Sequence, residues 1–322
     1  MSSTASIVKQ CLAALAFCAV AGAAMAQDKT IKVIVPLLAG AGTDVIARTF
    51  SAALAQGLGQ PVIVENKAGA ATTLGTNFVA KSTPDGYTLL VATTSTLSVL
   101  PNVQKPPYDT LKDLLPIAAF SSSPFVVVVA ADSRFKTLAE LIAAARAEPG
   151  KLTFASSGTG TMTHMVVDLL SVVAKTNLAH IPYKGVTGAY ADVIGGRIDL
   201  LADAPASTLP QIRGLRMRAL AVTSPHRSPM LPNVPTVGEL GLAGSEADFV
   251  TGLIAPAGTP DAIVARLQSE TLKIAQSAAF KDYLAQQGYE SLVADGAEFG
   301  KIIRAGLAKW ANVVRERNIK VE

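Results

Sequence analysis

Short aliphatic runs and stretches of helical periodicity alternate along nearly the whole chain, and this alternation narrows the fold more than any other feature. It is the pattern of layered α/β structure, in which helices cover sheets that are expected to be mostly parallel. Candidate strands occupy residues 31–35, 61–64, 87–92, 125–130, 152–155, 179–182, 198–202, 218–223 and 252–255. Helix starts fall between and after them. Thr137 with Glu140 forms a capping box, Thr259 precedes Pro260 as an N-cap before a first-turn proline, and Asp295 is followed by Glu298. After that last start, Phe299, Ile302, Ile303, Trp310, Val313 and Val314 share one helical face. The helix is expected to pack on the first lobe, with Trp310 as a core anchor rather than a ligand platform.

Residues 1–26 read as a secretory signal, with Lys9 before an apolar run that closes on Ala24-Met25-Ala26. The run is short for a bilayer span, and Phe17 before Cys18 does not fit a lipidation site. Removing 26 residues from 322 leaves 296, enough for two lobes with their own cores. Both cysteines, Cys11 and Cys18, lie in the signal, so the remainder has no thiol for a disulfide, a metal or a nucleophile. The formal charge of +4 includes Lys9, and the other basic residues are scattered, which argues against a nucleic-acid partner. Two crossover candidates, at 121–124 and just before 252, divide the chain into a first lobe of residues 27–122 plus 250–322 and a second lobe of residues 123–249, with a hinge and a cleft between them.

Two loops carry the functional signal. The first strand runs into Leu37, Leu38, Ala39, Gly40, Ala41, Gly42 and Thr43, and a helix follows. A small-residue loop at a helix start presents backbone N–H groups at the positive end of the helix and holds an anion without a cationic side chain; the alternative is a tight turn capped by Thr43 or Asp44. The second loop, Ser156, Ser157, Gly158, Thr159, Gly160 and Thr161, again joins a strand to an apolar helix, so the two form opposed jaws. Neither is a phosphate loop, since the Lys-Ser/Thr ending is missing, and neither is a dinucleotide fingerprint; no cofactor is expected. His164, His180 and His226 lack metal-ligand spacing, and no G-x-S-x-G elbow marks a catalytic serine. His164 is read as a brace for its loop and His180 as a satisfied core residue.

Val35-Pro36 with Gly42-Thr43-Asp44, Val64-Glu65-Asn66 with Gly69-Ala70, and Pro84-Asp85-Gly86-Tyr87-Thr88-Leu89-Leu90 recur in the order of a known family. So do Tyr108-Asp109, Ile181-Pro182-Tyr183-Lys184-Gly185, Arg218-Ala219-Leu220-Ala221-Val222-Thr223 and Ala255-Pro256-Ala257-Gly258-Thr259-Pro260. The chain resembles the Bug-type solute receptors of tripartite tricarboxylate transporters over essentially all of the exported part. The resemblance implies a type II-like, two-lobed periplasmic-binding fold with two hinge crossovers. It implies a periplasmic receptor, not an enzyme, that closes around a small organic acid and delivers it to membrane permease subunits. Alternatives are a receptor feeding a sensor kinase and a secreted hydrolase; the chain is expected to act as a monomer. The resemblance places the ligand carboxylate between the two loops, with Thr93, Thr94 and Ser95 beside it and Tyr183, Lys184 and Asp203 as further contacts. Lys184 is either an anion partner or a solvated charge, and Asp203 either selects a ligand amine or hydroxyl or caps the next helix. The sequence departs from the family at Leu37, Ala39 and Ala41 in the first loop, and at Val250, where an aromatic is common.

Overall fold

The computed structural model describes residues 29–320, so the signal and both cysteines lie outside it. The first sheet begins with β1 (Ile31–Val35), helix α1 (Gly42–Leu58), β2 (Val62–Asn66), helix α2 (Thr73–Ala80) and β3 (Thr88–Thr93). A π turn over Ser95–Val99 passes into the short α3 (Leu100–Val103), and β4 (Leu114–Ser122) completes this stretch. The chain then builds a second sheet from β5 (Val126–Ala130), α4 (Leu138–Ala147), β6 (Thr153–Ser156), α5 (Met162–Ala174), β7 (Ala179–Pro182), α6 (Val186–Ile194), β8 (Leu200–Asp203), α7 (Pro205–Arg213) and β9 (Met217–Val222). It returns through β10 (Thr251–Pro256), α8 (Asp261–Gln276), α9 (Ala278–Gln286), β11 (Glu290–Asp295) and α10 (Gly296–Arg317). The strand orders are β11-β4-β10-β3-β1-β2 and β7-β6-β8-β5-β9, which makes the molecule two-lobed.

The sheets are mixed, which corrects the expectation of mostly parallel strands. Pairs β1–β2, β1–β3, β6–β7 and β6–β8 are parallel. By contrast β10 opposes β3 and β4, β11 opposes β4, and β5 opposes β8 and β9. The strands that carry the chain between lobes enter each sheet from the hinge, against the direction set by the strand–helix–strand units. Strands β4 and β11 escaped the sequence pattern. β4 contains Pro116 and a run of small residues, and β11 is an edge strand with mostly half-exposed side chains, so neither shows a clear apolar period.

Helix α1 buries Ile46, Phe50, Leu54 and Leu58 at four-residue spacing, and Gly59, in the left-handed region, closes it by donating to the carbonyls of Ala55 and Gln56. Phe50 stacks on Phe120 at 4.2 Å, and Phe280 lies against both rings. The Thr137–Glu140 capping box and the Asp295 cap form as the sequence indicates. Thr259 does not cap α8: its hydroxyl donates to the Pro256 carbonyl, and the N-cap is Pro260.

The last helix spans both lobes rather than packing on the first. Its 22 residues reach about 33 Å at 1.5 Å per residue. Phe299 and Ile303 join the first-lobe core beside Ile34 and Leu90, whereas Trp310 and Val313 join the second-lobe core beside Val127 and Phe154. At the hinge, Ser123 and Phe249 exchange backbone hydrogen bonds of 3.2 and 2.8 Å, so the outgoing and returning crossovers brace each other.

Candidate functional site

A cavity of about 410 Å³ opens where the loops of the two sheets face each other over this hinge. The first lobe contributes Ala71, Thr72 and Ser95, with Val99, Leu100, Val103 and Gln104; the crossovers contribute Ser123, Phe125 and Phe249. The second lobe contributes Ser157, Thr159, Gly160, Thr161, Met162 and Thr163, then Asp203 and Ala204, and Tyr289 closes one side. Hydroxyls and apolar side chains dominate, and among the described residues the lining includes no Lys, Arg or His. The volume suits a small molecule.

The second loop owes its shape to its own hydroxyls. Ser157 N–H donates to Thr163 Oγ1 (2.9 Å), Gly158 N–H to Ser156 Oγ (3.1 Å) and Gly160 N–H to His164 Nδ1 (3.0 Å), while Thr161 Oγ1 donates to the Gly158 carbonyl (2.7 Å). These bonds consume the amides of Ser157, Gly158 and Gly160. The N–H groups of Met162 and Thr163, in the first turn of α5, have no intrahelical acceptor by geometry and belong to residues on the cavity wall. Behind the loop, the His164 and His180 rings stack at 3.7 Å, His164 Nε2 faces Asp168 at 3.0 Å, and Arg317 from α10 donates to Asp168 at 2.9 Å. Ser156 is 2 % exposed and faces His180 Nε2 at 2.6 Å, behind the cavity wall. Burial and the neighbouring His164 depress His180 to about 4.

The first loop is braced by charge. Asp44, 1 % exposed, accepts from Gly40 N–H (2.8 Å), Arg48 Nε (3.0 Å) and Asn66 Nδ2 (2.8 Å), and Asn66 Nδ2 also donates to the Leu37 carbonyl at 3.1 Å. Burial opposes the Asp44 charge, but these hydrogen bonds outweigh it and hold the carboxyl below its ordinary range. Leu38, Ala39, Gly40 and Gly42 are exposed, Leu37 and Ala41 are half-buried, and Thr43 is buried; none lines the cavity. The link between this loop and the cavity is Tyr289, whose hydroxyl would lie 2.9 Å from a methyl group added at Gly42.

The remaining candidates separate. Ser95 is on the cavity wall, Thr93 is buried at the end of β3, and Thr94 accepts from Val250 N–H and donates to the Asp248 carbonyl at 3.2 Å each, which ties the hinge. Thr94 and Val250 face a second cavity of about 420 Å³ on the other side of the crossover, with Lys309 and Trp310. Tyr183 donates its hydroxyl to Asp192, and Lys184 is exposed; both lie outside the cavity lining. Asp203, 7 % exposed, is on the wall. Its carboxylate accepts from Ala204 N–H (2.8 Å) and Tyr190 OH (3.1 Å), and the N-cap of α7 is Ala204, so Asp203 does not cap that helix.

Three contributors were not anticipated. Ala70, Ala71 and Thr72 hold left-handed φ values of 46°, 50° and 80° in succession, a conformation that costs non-glycine residues about 1–3 kcal/mol each. They sit between β2 and α2, so the strand, small-residue loop and helix pattern that marked the two jaws occurs here a third time. Phe249 supplies the aromatic wall one residue before Val250, and Tyr289 leads into the edge strand that the sequence pattern did not reveal.

The sequence profile of the tripartite tricarboxylate transporter family receptor matches residues 46–319. Protein BugT of Bordetella pertussis is 35% identical over 299 residues, covering 91% of each chain. Among solved structures, a TctC solute-binding protein from Polaromonas without ligand superposes with a TM-score of 0.81 at 29% identity, covering 89% of this chain and 98% of that one. MatC from Rhodopseudomonas palustris with bound malate superposes with a TM-score of 0.71 at 29% identity, covering 88% and 98%. The chain therefore belongs to the tripartite tricarboxylate transporter family receptors, as a Bug-type solute-binding protein.

Proposed function

We propose that the protein is a periplasmic receptor that captures a small organic acid between its lobes, residues 27–122 plus 250–322 and residues 123–249, and hands it to membrane permease subunits without chemical change. The observation that carries this reading is the cavity itself, set over paired crossovers and walled on one side by the second loop and the start of α5. The carboxylate is held by the first-turn amides of Met162 and Thr163 and by the hydroxyls of Ser157 and Thr159. The first loop reaches the ligand on closure, when residues 37–43 swing toward the cavity over Tyr289. The site offers little to a hydrolase, because the Ser156–His180 pair lies behind the wall and, among the described residues, no acid is bonded to that imidazole.

Native mass spectrometry of freshly purified protein identifies any retained acid. Small-angle scattering with that acid then tests closure. The radius of gyration is expected to fall at saturation, and an unchanged value in protein shown to be loaded contradicts the hinge.

A further inference from the structure

The residues lining the cavity include a single side chain that carries a formal charge in its usual state, and it is an acid. The Asp203 carboxylate ends β8 at the wall, almost fully buried, and among the described residues no Lys, Arg or His shares the lining with it. Ala204 N–H can only donate, which makes Oδ1 an acceptor, and Tyr190 OH donates to Oδ2. Three donors, Ala204 N–H, Tyr190 OH and the Ser207 hydroxyl, favour the ionised form but bring no positive charge. With three donors on two oxygens, the carboxylate keeps acceptor capacity for one more. An ionised carboxylate that lines a cavity without a countercharge repels a second anion and attracts a cation strongly, because the low local dielectric magnifies both effects.

We propose that Asp203 is the specificity-determining residue of this receptor and that the solute is zwitterionic, with a carboxylate at the second loop and a cationic amine against Asp203. The inference rests on carboxylate capture in the cleft and narrows it. The solute brings the countercharge that the protein does not provide, and the apolar wall of Val99, Leu100, Phe125 and Phe249 covers the carbon chain between its two ends. Burial, which pushes the Asp203 carboxyl upward, is the signature of that missing partner. The same reasoning excludes symmetrical diacids as preferred ligands, since their second carboxylate would meet Asp203 across the cavity.

The test uses matched pairs in which one carboxylate of a diacid is replaced by an ammonium: succinate with β-alanine, glutarate with 4-aminobutanoate, and adipate with 5-aminopentanoate. Isothermal titration of the wild-type protein is expected to show at least one pair in which the amino acid binds about tenfold or more tighter than its diacid. In Asp203→Asn, which keeps the size of the side chain and removes its charge, that preference is expected to vanish or reverse. Binding of the diacid as tight as that of its amino partner in every pair that binds overturns the role of Asp203 and leaves carboxylate capture standing. A preference that survives Asp203→Asn likewise overturns it. Failure of every compound to bind at millimolar concentration overturns the capture reading together with the inference.

Discussion

The two jaw loops share one sequence pattern and solve its problem by different chemistry. The first is held by a buried carboxylate, a guanidinium and an amide, Asp44, Arg48 and Asn66, and stands exposed with Leu38 at 74% accessibility. The second is held by hydroxyls and imidazoles, Ser156, Thr161, Thr163, His164 and His180, and forms the cavity wall. A loop that folds on its own hydroxyls spends its amides internally, so the donors left for a ligand move to the helix start behind it. The first loop draws on a side chain in α1 and another on β2, and so presents an open face that only closure brings into use.

The difference can be broken from the first side. Asp44→Ala removes the acceptor for Gly40 N–H and Asn66 and leaves the Arg48 charge without its partner. The expected loss is about 3 kcal/mol in urea unfolding, with the first loop the earliest segment to lose hydrogen-exchange protection. Because the folded Asp44 carboxyl lies below its ordinary value of 3.8, this contribution is present above pH 4 and fades only as the pH drops through the folded value.

Acid separates the two loops. Burial depresses His180 to about 4 in the folded protein against its ordinary 6.5, so the folded state holds it neutral where the unfolded state binds a proton. Its stability contribution is complete above pH 6.5 and is lost as pH falls toward 4, on the order of 2–3 kcal/mol. The urea midpoint should therefore begin to fall in a range where Asp44 is still ionised, and His180→Gln should flatten that part of the profile. An unaltered slope in the variant would remove His180 as the cause.

Glycines sharpen the contrast on a smaller scale. Gly158 has φ of 138°, where L side chains are strained although nothing crowds the added methyl below 3.6 Å. Gly42 adopts an ordinary helical start, but a methyl there meets the Tyr289 hydroxyl at 2.9 Å. Gly158→Ala should cost about 2 kcal/mol of stability in wild-type and Tyr289→Phe backgrounds alike. Gly42→Ala should cost less and be relieved when Tyr289→Phe removes the clashing oxygen, a coupling that a double-mutant cycle measures. The smallest effect belongs to Lys184, exposed and outside the cavity lining. Lys184→Met should change affinity for an organic acid by less than about 0.5 kcal/mol by titration.

How far the sequence revealed this molecule follows from what was local. Strands buried on both faces, such as β1, and helices with caps, such as α4, announce themselves within a few residues. β4 and β11 do not, since Pro116, the serines and an exposed edge erase the period. The second loop is legible as a strand-to-helix junction, whereas Ser95 and Asp203 enter only through the family resemblance; Ser157, Thr159, Gly160, Thr161, Ser95 and Asp203 line the cavity. The strained Ala70–Thr72 turn carries the same strand, loop and helix pattern, and Phe249 and Tyr289 reach the cavity only through pairing of distant crossovers and an edge strand. The span of α10 across both lobes was hidden because one apolar stripe serves two cores, and a sequence does not say where one core ends and the next begins.

The central claim is that uncharged donors of the second loop and of α5 recognise the carboxylate, and one comparison tests it most directly. The tightest-binding acid of the matched panel and its primary amide should be titrated against the wild-type protein under the same conditions. The account predicts roughly ten- to a hundredfold weaker binding of the amide, from loss of charge-assisted hydrogen bonds worth about 1.5–3 kcal/mol. Equal affinity for acid and amide would contradict it.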